Sequence, residues 1–339
     1  MGVTLHDVAR VAAVSIKTVS MVVNESPRVS SQTRLRVLEA IESTGYRPNM
    51  AARSLRSGRK GVLCLAVPEL TLTFFGELSG AVIKAADRAG MAVFVEQTAG
   101  DARRELELLS SPRLQLTDGL ILCPLGLTTH QGHEVQANVP IVILADEHLA
   151  APVDHVTMQS VAGARAATEH LLKLGRRNIA VIGAAPELGP ARLREEGYRL
   201  ALEAAGVAYQ SELVIPAQHW HRQNGADATQ KLLDRQLHFD GLLGLNDSLA
   251  HGAMHQLRLA GLRIPEDVAV IGFDNLDESR FSYPTLTSVD PGVDALAATA
   301  VRLLLQRIGG GPDVPSLPRH VEIESRLMKR DSTNVLVSR

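Results

Sequence analysis

Side chains suited to holding a polyhydroxylated ligand recur in one kind of place along this chain. Asn246 and Asp247 follow an apolar run at 241–245, and Asp274 and Asn275 follow another at 268–273. Arg194 opens a helical stretch after the apolar run 178–182, and Trp220 lies in a loop after 213–215. A carboxylate, a carboxamide and a guanidinium exchange hydrogen bonds with paired hydroxyls, and an indole stacks on the flat face of a sugar ring. Together they predict a sugar-type site. Asn246 carries a second reading as a helix cap, because Asn after a strand often does nothing more.

A different chemistry stands at the start of the chain. Thr4 and Asp7 have capping-box spacing, and Leu5, Val8, Ala9 and Ala12 then share one helical face. Ser15 caps a second short helix with Val19, Val22 and Val23 inward. Ile16, Lys17, Thr18, Ser20 and Met21 are left near its start and outer face. Two short helices joined by a tight turn form a helix-turn-helix, whose second helix reads base edges in the major groove. A third helix starts near Ser30, turns Val37, Leu38 and Ile41 inward and stops at Gly45. The three helices would close a small core around Val8, Val19, Val37 and Tyr46.

Charge supports this division. The first sixty residues hold ten Lys or Arg and four Asp or Glu, whereas the remainder holds 25 basic and 33 acidic residues. A basic head on an acidic body suits phosphate contact at one end. Between them, 49–58 reads as a two-turn helix capped by Asn49 and closed by Gly58. Such a helix is marginal alone, so it should order on DNA and pair with its copy in a dimer. Leu55 would be an apolar wedge for a minor-groove base step, with Arg53 and Arg56 near phosphates.

From Gly61 the pattern alternates between apolar runs and helical stretches. Strands are expected at 62–67, 92–95, 119–123, 141–144, 178–182, 241–245 and 268–273. Helices are expected at 76–89, 103–109, 161–174, 193–205, 225–233, 248–260 and 293–306. Strands buried on both faces with crossover helices give a doubly wound parallel sheet, and about 280 residues suit two. Ligands of such folds bind at the carboxyl ends of strands. No Gly-x-Gly-x-x-Gly follows a strand and no Gly-Lys-Ser/Thr phosphate loop occurs, so a nucleotide-dependent enzyme is not expected. His130, His133, His219 and His221 read as loop histidines and not as metal ligands, and no cofactor is expected. Cys64 and Cys123 read as buried small hydrophobes. No signal-type or membrane-spanning run occurs, which fits a cytoplasmic, nucleoid-associated protein.

The chain resembles the LacI family of transcriptional regulators over nearly its whole length. The head resembles it in Val3 to Ala9, Val14 to Ser20, Val22-Val23-Asn24, Gly45-Tyr46-Arg47-Pro48-Asn49 and Ala52-Arg53-Ser54-Leu55. The body does so in His170 to Gly175, Arg194 with Gly197-Tyr198, Leu245-Asn246-Asp247, Ile271 to Asn275, Tyr283 to Val289 and Leu327 to Thr333. The resemblance implies an all-α helix-turn-helix head (1–47), a hinge helix (48–60) and a core (61–339) of two doubly wound, periplasmic-binding-protein-like subdomains. The first subdomain would take about 61–158 and 290–320, and the second about 159–289 and 321–333, with chain crossings near 159, 289 and 321. It implies a homodimeric repressor on near-palindromic double-stranded operator DNA, controlled by a small effector, most often a sugar. Thr4, Ser15, Ile16, Lys17, Thr18, Ser20, Met21 and Asn24 would contact DNA from the head. Ala52, Arg53 and the intercalating Leu55 would do so from the hinge. Phe74, Phe75, Arg194, Trp220, Asn246 and Asp274 would line the effector site.

Three departures from the family pattern stand out. Met21 replaces a common Arg, removing a donor to a guanine edge. Leu72-Thr73 replaces Asn-Pro before the phenylalanines. The aspartate common after the fourth strand is shifted to Asp146, followed later by Met158-Gln159. The two changes in the cleft suit a less hydroxylated or larger ligand. A purine corepressor is the alternative effector, stacked by Phe74, Phe75 and Trp220. A solute-binding protein shares the body but has no use for a basic head.

Overall fold

A computed structural model describes residues 3–23, 26–46, 59–310 and 316–334. It separates into two compact units, 1–60 and 61–339. The expected hinge residues Ala52, Arg53 and Leu55 lie outside the described residues, as does Asn24.

The first unit holds α1 (Leu5–Val11), α2 (Ile16–Val23) and α3 (Ser31–Thr44). Local chemistry fixes each end. The Asp7 carboxylate accepts from the Thr4 backbone N–H at 3.0 Å and its hydroxyl at 2.7 Å. Ser15 Oγ accepts from the Thr18 N–H at 3.1 Å. Ser30 Oγ accepts from the Thr33 N–H, and Gly45 ends α3 at φ 66°, where a Cβ would be strained. Val8, Val19 and Val37 are fully buried, with Tyr46 packed against them. Leu38 is a correction: it is 48% exposed, because the buried face of α3 runs through Val37 and Ala40.

The second unit contains two six-stranded sheets. The first comprises β1 (Val62–Val67), β2 (Ala92–Gln97), β3 (Gly119–Leu122), β4 (Ile141–Ala145), β5 (Asp154–Met158) and β11 (His320–Ile323), in the order β11-β5-β4-β3-β1-β2, all parallel. The second comprises β6 (Ile179–Ala184), β7 (Val214–Pro216), β8 (Gly241–Gly244), β9 (Ala269–Phe273), β10 (Thr287–Asp290) and β12 (Arg326–Met328), in the order β12-β10-β9-β8-β6-β7. Only its β10–β12 pair is antiparallel. The helices are α4 (Thr73–Asp87), α5 (Ala102–Leu109), α6 (Ser160–Lys173), α7 (Gly189–Ala204), α8 (Arg222–Asp234), α9 (Asp247–Leu259) and α10 (Val293–Gly309).

Apolar strand interiors explain the parallel order: β3 and β9 are buried throughout, as crossover helices on both faces require. Gly197 permits α7 to lie directly on α6, since a Cβ there would overlap the Val161 carbonyl. The chain crosses between lobes after β5, after β10 and between β11 and β12. The third crossing corrects the boundary expected near 321. Ile323 still pairs with Met158 in the first sheet, so the crossing falls at Glu324-Ser325.

Candidate functional site

One cavity gathers residues from the carboxyl ends of strands in both sheets. Phe74, Phe75, Arg194, Trp220, Asn246 and Asp274 all line it, as do Asp146 and Met158, two of the departures from the family pattern; Glu69, Cys123 and His221 are among the lining residues that the sequence did not single out for it. Topology accounts for the convergence. Glu69 follows β1, Cys123 follows β3, Asp146 follows β4, Met158 ends β5, Trp220 follows β7, Asn246 follows β8 and Asp274 follows β9. Glu105 on α5 holds part of the wall, its buried carboxylate accepting from the Leu125 and Leu127 N–H groups at 2.8 and 3.0 Å.

Arg194 is the electrostatic centre. Its side chain and those of Asp146 and Asp274 are each about 5% exposed or less. Nη2 donates to Asp146 Oδ2 at 3.1 Å, and Nη1 donates to the Leu245 carbonyl at 2.5 Å. Asp274 Oδ1 stands 3.6 Å from Nη1, outside hydrogen-bond range. The guanidinium lies 3.8 Å from the Phe273 ring centroid and 5.3 Å from that of Trp220. Arg194 Nε is buried without a partner. Asp146 is also anchored by Ser160 Oγ at 2.9 Å.

Asp274 is the unsatisfied member. Burial raises its carboxyl well above the ordinary range, and the guanidinium at 3.6 Å only partly offsets this. Its φ is 109°, a left-handed conformation that strains a side-chain-bearing residue. Asp247 behind it is fully buried and accepts from Ser279 Oγ and Ser288 Oγ, each at 2.6 Å, and from the Leu276 N–H at 2.9 Å. Burial still pushes its carboxyl up to about 7. Gly272 gives Asp247 room, since a Cβ there would overlap its carboxylate.

The polar groups of Asn246 and Trp220 are committed elsewhere. Asn246 Oδ1 caps α9 by accepting from the Leu249 N–H at 2.8 Å, while Nδ2 donates to the Trp220 carbonyl at 3.1 Å. The Trp220 indole N–H donates to the Gly183 carbonyl at 3.0 Å. The cap reading of Asn246 is seen directly, and the residue also lines the cavity. Phe74 and Phe75 meet edge to face at 5.2 Å. Leu72 and Thr73 line the cavity too, as does Met158, whereas Gln159 donates to Glu322 at 3.0 Å.

The two lobes touch across the mouth. Arg192 pairs with Glu147 at 2.6 Å, His221 lies 3.2 Å from Glu69, and Glu77 accepts the Asp277 N–H at 2.9 Å. Cys123 in the wall and Cys64 on β1 are both buried free thiols, each pushed up to about 12 by burial. Among the described residues no group of three or more His, Cys, Asp or Glu could hold a metal ion, and no helix is long and apolar enough to cross a membrane.

In the head, Ser15, Ile16 and Lys17 are exposed, and Thr18, Ser20 and Met21 are half-buried at the start and side of α2. Thr4 is exposed at the start of α1.

A helix-turn-helix head and a two-lobed α/β body with a cleft at its strand ends define a class of ligand-responsive DNA-binding regulators. Residues 4–49 match the model of bacterial regulatory proteins of the lacI family, and 168–333 match that of the periplasmic binding protein-like domain. The ribose operon repressor of Halalkalibacterium halodurans is 34% identical, covering 97% of each chain. The transcriptional regulator CelR, solved in complex with cellobiose, is 30% identical over 97% of this chain and 99% of its own, with a TM-score of 0.72. The lac repressor dimer, solved bound to operator and an anti-inducer, is 27% identical over 99% of this chain and all of its own, with a TM-score of 0.83. The chain belongs to the LacI family of bacterial transcriptional regulators.

Proposed function

We propose that this regulator is a cytoplasmic homodimeric repressor whose affinity for a near-palindromic operator is controlled by a sugar-type effector in the cleft. The observation that carries the effector reading is the state of Asp274. It is a buried carboxyl in a cavity between two lobes, and no hydrogen bond reaches it from the described residues. Paired hydroxyls would satisfy it, and the Trp220 and Phe75 rings supply apolar faces for a pyranose or furanose. The cavity volume of about 160 Å³ is small beside the roughly 300–1,000 Å³ of sites for drug-sized ligands, which suits one small molecule. The names of the relatives, a ribose operon repressor and a regulator bound to cellobiose, point the same way.

Ile16, Lys17 and Met21 would read the operator from the exposed start and flank of α2, with Thr4, Ser15, Thr18 and Ser20 beside them and Leu55 as the wedge. Phe281 and Tyr283, about 80% exposed, and Leu259, 69% exposed, are apolar side chains of the second lobe that a second copy would cover. The effector would change the angle between lobes and, through the dimer, the spacing of the hinge segments, with a coupling of about 1–3 kcal/mol.

A thermal-shift screen of sugars, sugar derivatives and purines identifies the effector, since a ligand of the folded state raises apparent stability. Operator binding is then followed with and without it. Asp274→Ala should abolish the response and preserve basal operator binding; a retained response removes Asp274 from the site. Leu55→Ala should weaken operator binding far more than random-DNA binding, and equal losses would remove the wedge role.

A further inference from the structure

We infer that the effector carries no negative charge: the cleft accepts an uncharged or amine-bearing polyol and rejects sugar phosphates and sugar acids. This rests on the effector reading above and narrows its ligand class.

The argument begins with the balance of charges that line the cavity. Glu69, Asp146 and Asp274 are its acids, and Arg194 is its permanently cationic side chain. Arg194 is already spent, because Asp146 takes one end of the guanidinium at 3.1 Å and Asp274 stands at 3.6 Å from the other. Phe273 covers a face at 3.8 Å. The Arg194 Nε is buried without a partner and adds no charge that Asp146 has not already cancelled. Of the two histidines at the mouth, His221 faces Glu69 at 3.2 Å, so any charge it gained would be matched there, and His219 is exposed to screening water.

Backbone dipoles do not reverse this balance. Asn246 caps the N-terminus of α9, and Pro190 removes an N–H from the first turn of α7. The start of α4 has no side-chain cap, but a helix end is worth about half an elementary charge, against the full charge of the Glu69 carboxylate on the same side of the cavity mouth. A buried anion needs charge-assisted partners to replace its water, and beyond the single buried Arg194 Nε the described wall residues offer none that is uncommitted. Asp274 responds to the same field: burial holds its carboxyl high, and Asp247, Asp146 and Glu77 all push in that direction.

The test is titration calorimetry on the full chain with matched sugar series. D-Ribose, D-galactose, D-glucose and cellobiose are compared with D-galactosamine, D-glucosamine, the 5- or 6-phosphates, the uronates and neutral 6-O-methyl ethers. For whichever skeleton binds, its phosphate and uronate should be weaker by about 100-fold or more, as expected for a charge moved from water into a site with no free cation to pair it. The amino and O-methyl forms should stay within about tenfold of the parent. Asp274→Asn combined with Glu69→Gln should narrow the neutral-to-anionic ratio, which damage to folding alone would not do. A phosphate or uronate that binds as well as its parent overturns the charge inference and leaves the sugar reading standing. An O-methyl ether lost as badly as the phosphate makes the exclusion steric and overturns it too. Silence across every series overturns both.

Discussion

Two clusters in the body use the same side chains in opposite proportions. On β5, next to the edge strand of the first sheet, one aspartate sits between two arginines: Asp154 pairs with Arg307 and Arg319, both at 2.6 Å, and also accepts the Arg319 backbone N–H at 2.8 Å. In the cleft, one arginine sits between two aspartates. Burial pushes against the charge of Asp154, but hydrogen bonds from the two guanidinium groups outweigh it, and its carboxyl is held well below the ordinary range. Asp274, at 3.6 Å from half of a shared guanidinium, is held above it. The difference separates a staple from a site. Asp154 is saturated and ties β5 to α10 and to the residue before β11. Asp274 has unmet hydrogen-bonding capacity, and strained backbone beneath it, which a ligand can exploit.

The largest effect should come from breaking the saturated cluster. Asp154→Ala leaves two arginines facing each other and should cost about 3 kcal/mol in chemical denaturation at pH 7, at the lower end for a buried pair because both arginines are partly exposed. An unchanged midpoint would deny it a stapling role. Since the folded Asp154 carboxyl lies below its unfolded value, its contribution is present above pH 4 and lost as the pH falls further.

Asp247 separates hydrogen bonding from charge pairing, because it has three donors and no paired cation. Its folded value of about 7 lies above the unfolded one, so its stabilisation is present in acid and lost as the pH rises from about 4 through about 7. Over that window wild type should lose stability relative to Asp247→Asn by on the order of 1 kcal/mol per pH unit. Parallel stability profiles for the two would mean that the serine hydroxyls suffice to hold the charge.

Asp274→Gly should do the reverse of Asp154→Ala. It removes a buried carboxyl that accepts no hydrogen bond from the described residues and a strained φ, so stability should rise by about 1 kcal/mol while the effector response disappears. A loss of stability would place Asp274 with the staples. The smallest effect belongs to the cleft mouth: Glu147→Gln removes a half-exposed pair with Arg192 and should shift stability by no more than about 0.5 kcal/mol. A loss several times larger would show that the rim locks the lobes together.

What the sequence discloses follows how local the physics is. The head is legible because Thr4, Ser15, Ser30 and Gly45 fix helix ends within a few residues of themselves. The helices and most strands of the body are legible from apolar periodicity. Strand β5 is not, because Asp154-His155-Val156-Thr157-Met158 reads as polar yet is buried throughout. Its polar groups find partners far along the chain, with Arg307 and Arg319 on Asp154 and His320 on Thr157 at 2.8 Å. β10, with Thr287 and Ser288 buried, escapes notice for the same reason, whereas β7, β11 and β12 do so because they are only three or four residues long and largely half-exposed.

In the cleft, post-strand position identifies which residues gather. It does not reveal which of their polar atoms are already occupied. Asp146 carried a usable signal, a carboxylate directly after the apolar run of β4, but its pairing with Arg194 is a tertiary fact. The commitments of Asn246 and Trp220 to backbone groups are equally invisible without the fold.

The two thiols supply a clock for lobe motion. Cys123 belongs to the cavity wall, while Cys64 belongs to the separate apolar cluster with Leu120 and Leu122. Both are buried and poorly ionised. A small alkylating reagent therefore reaches Cys123 when the lobes part, and Cys64 when the sheet itself comes undone. The ratio of the two labelling rates counts openings against unfoldings in a single tube, and an occupied cleft slows one hand of that clock and leaves the other running.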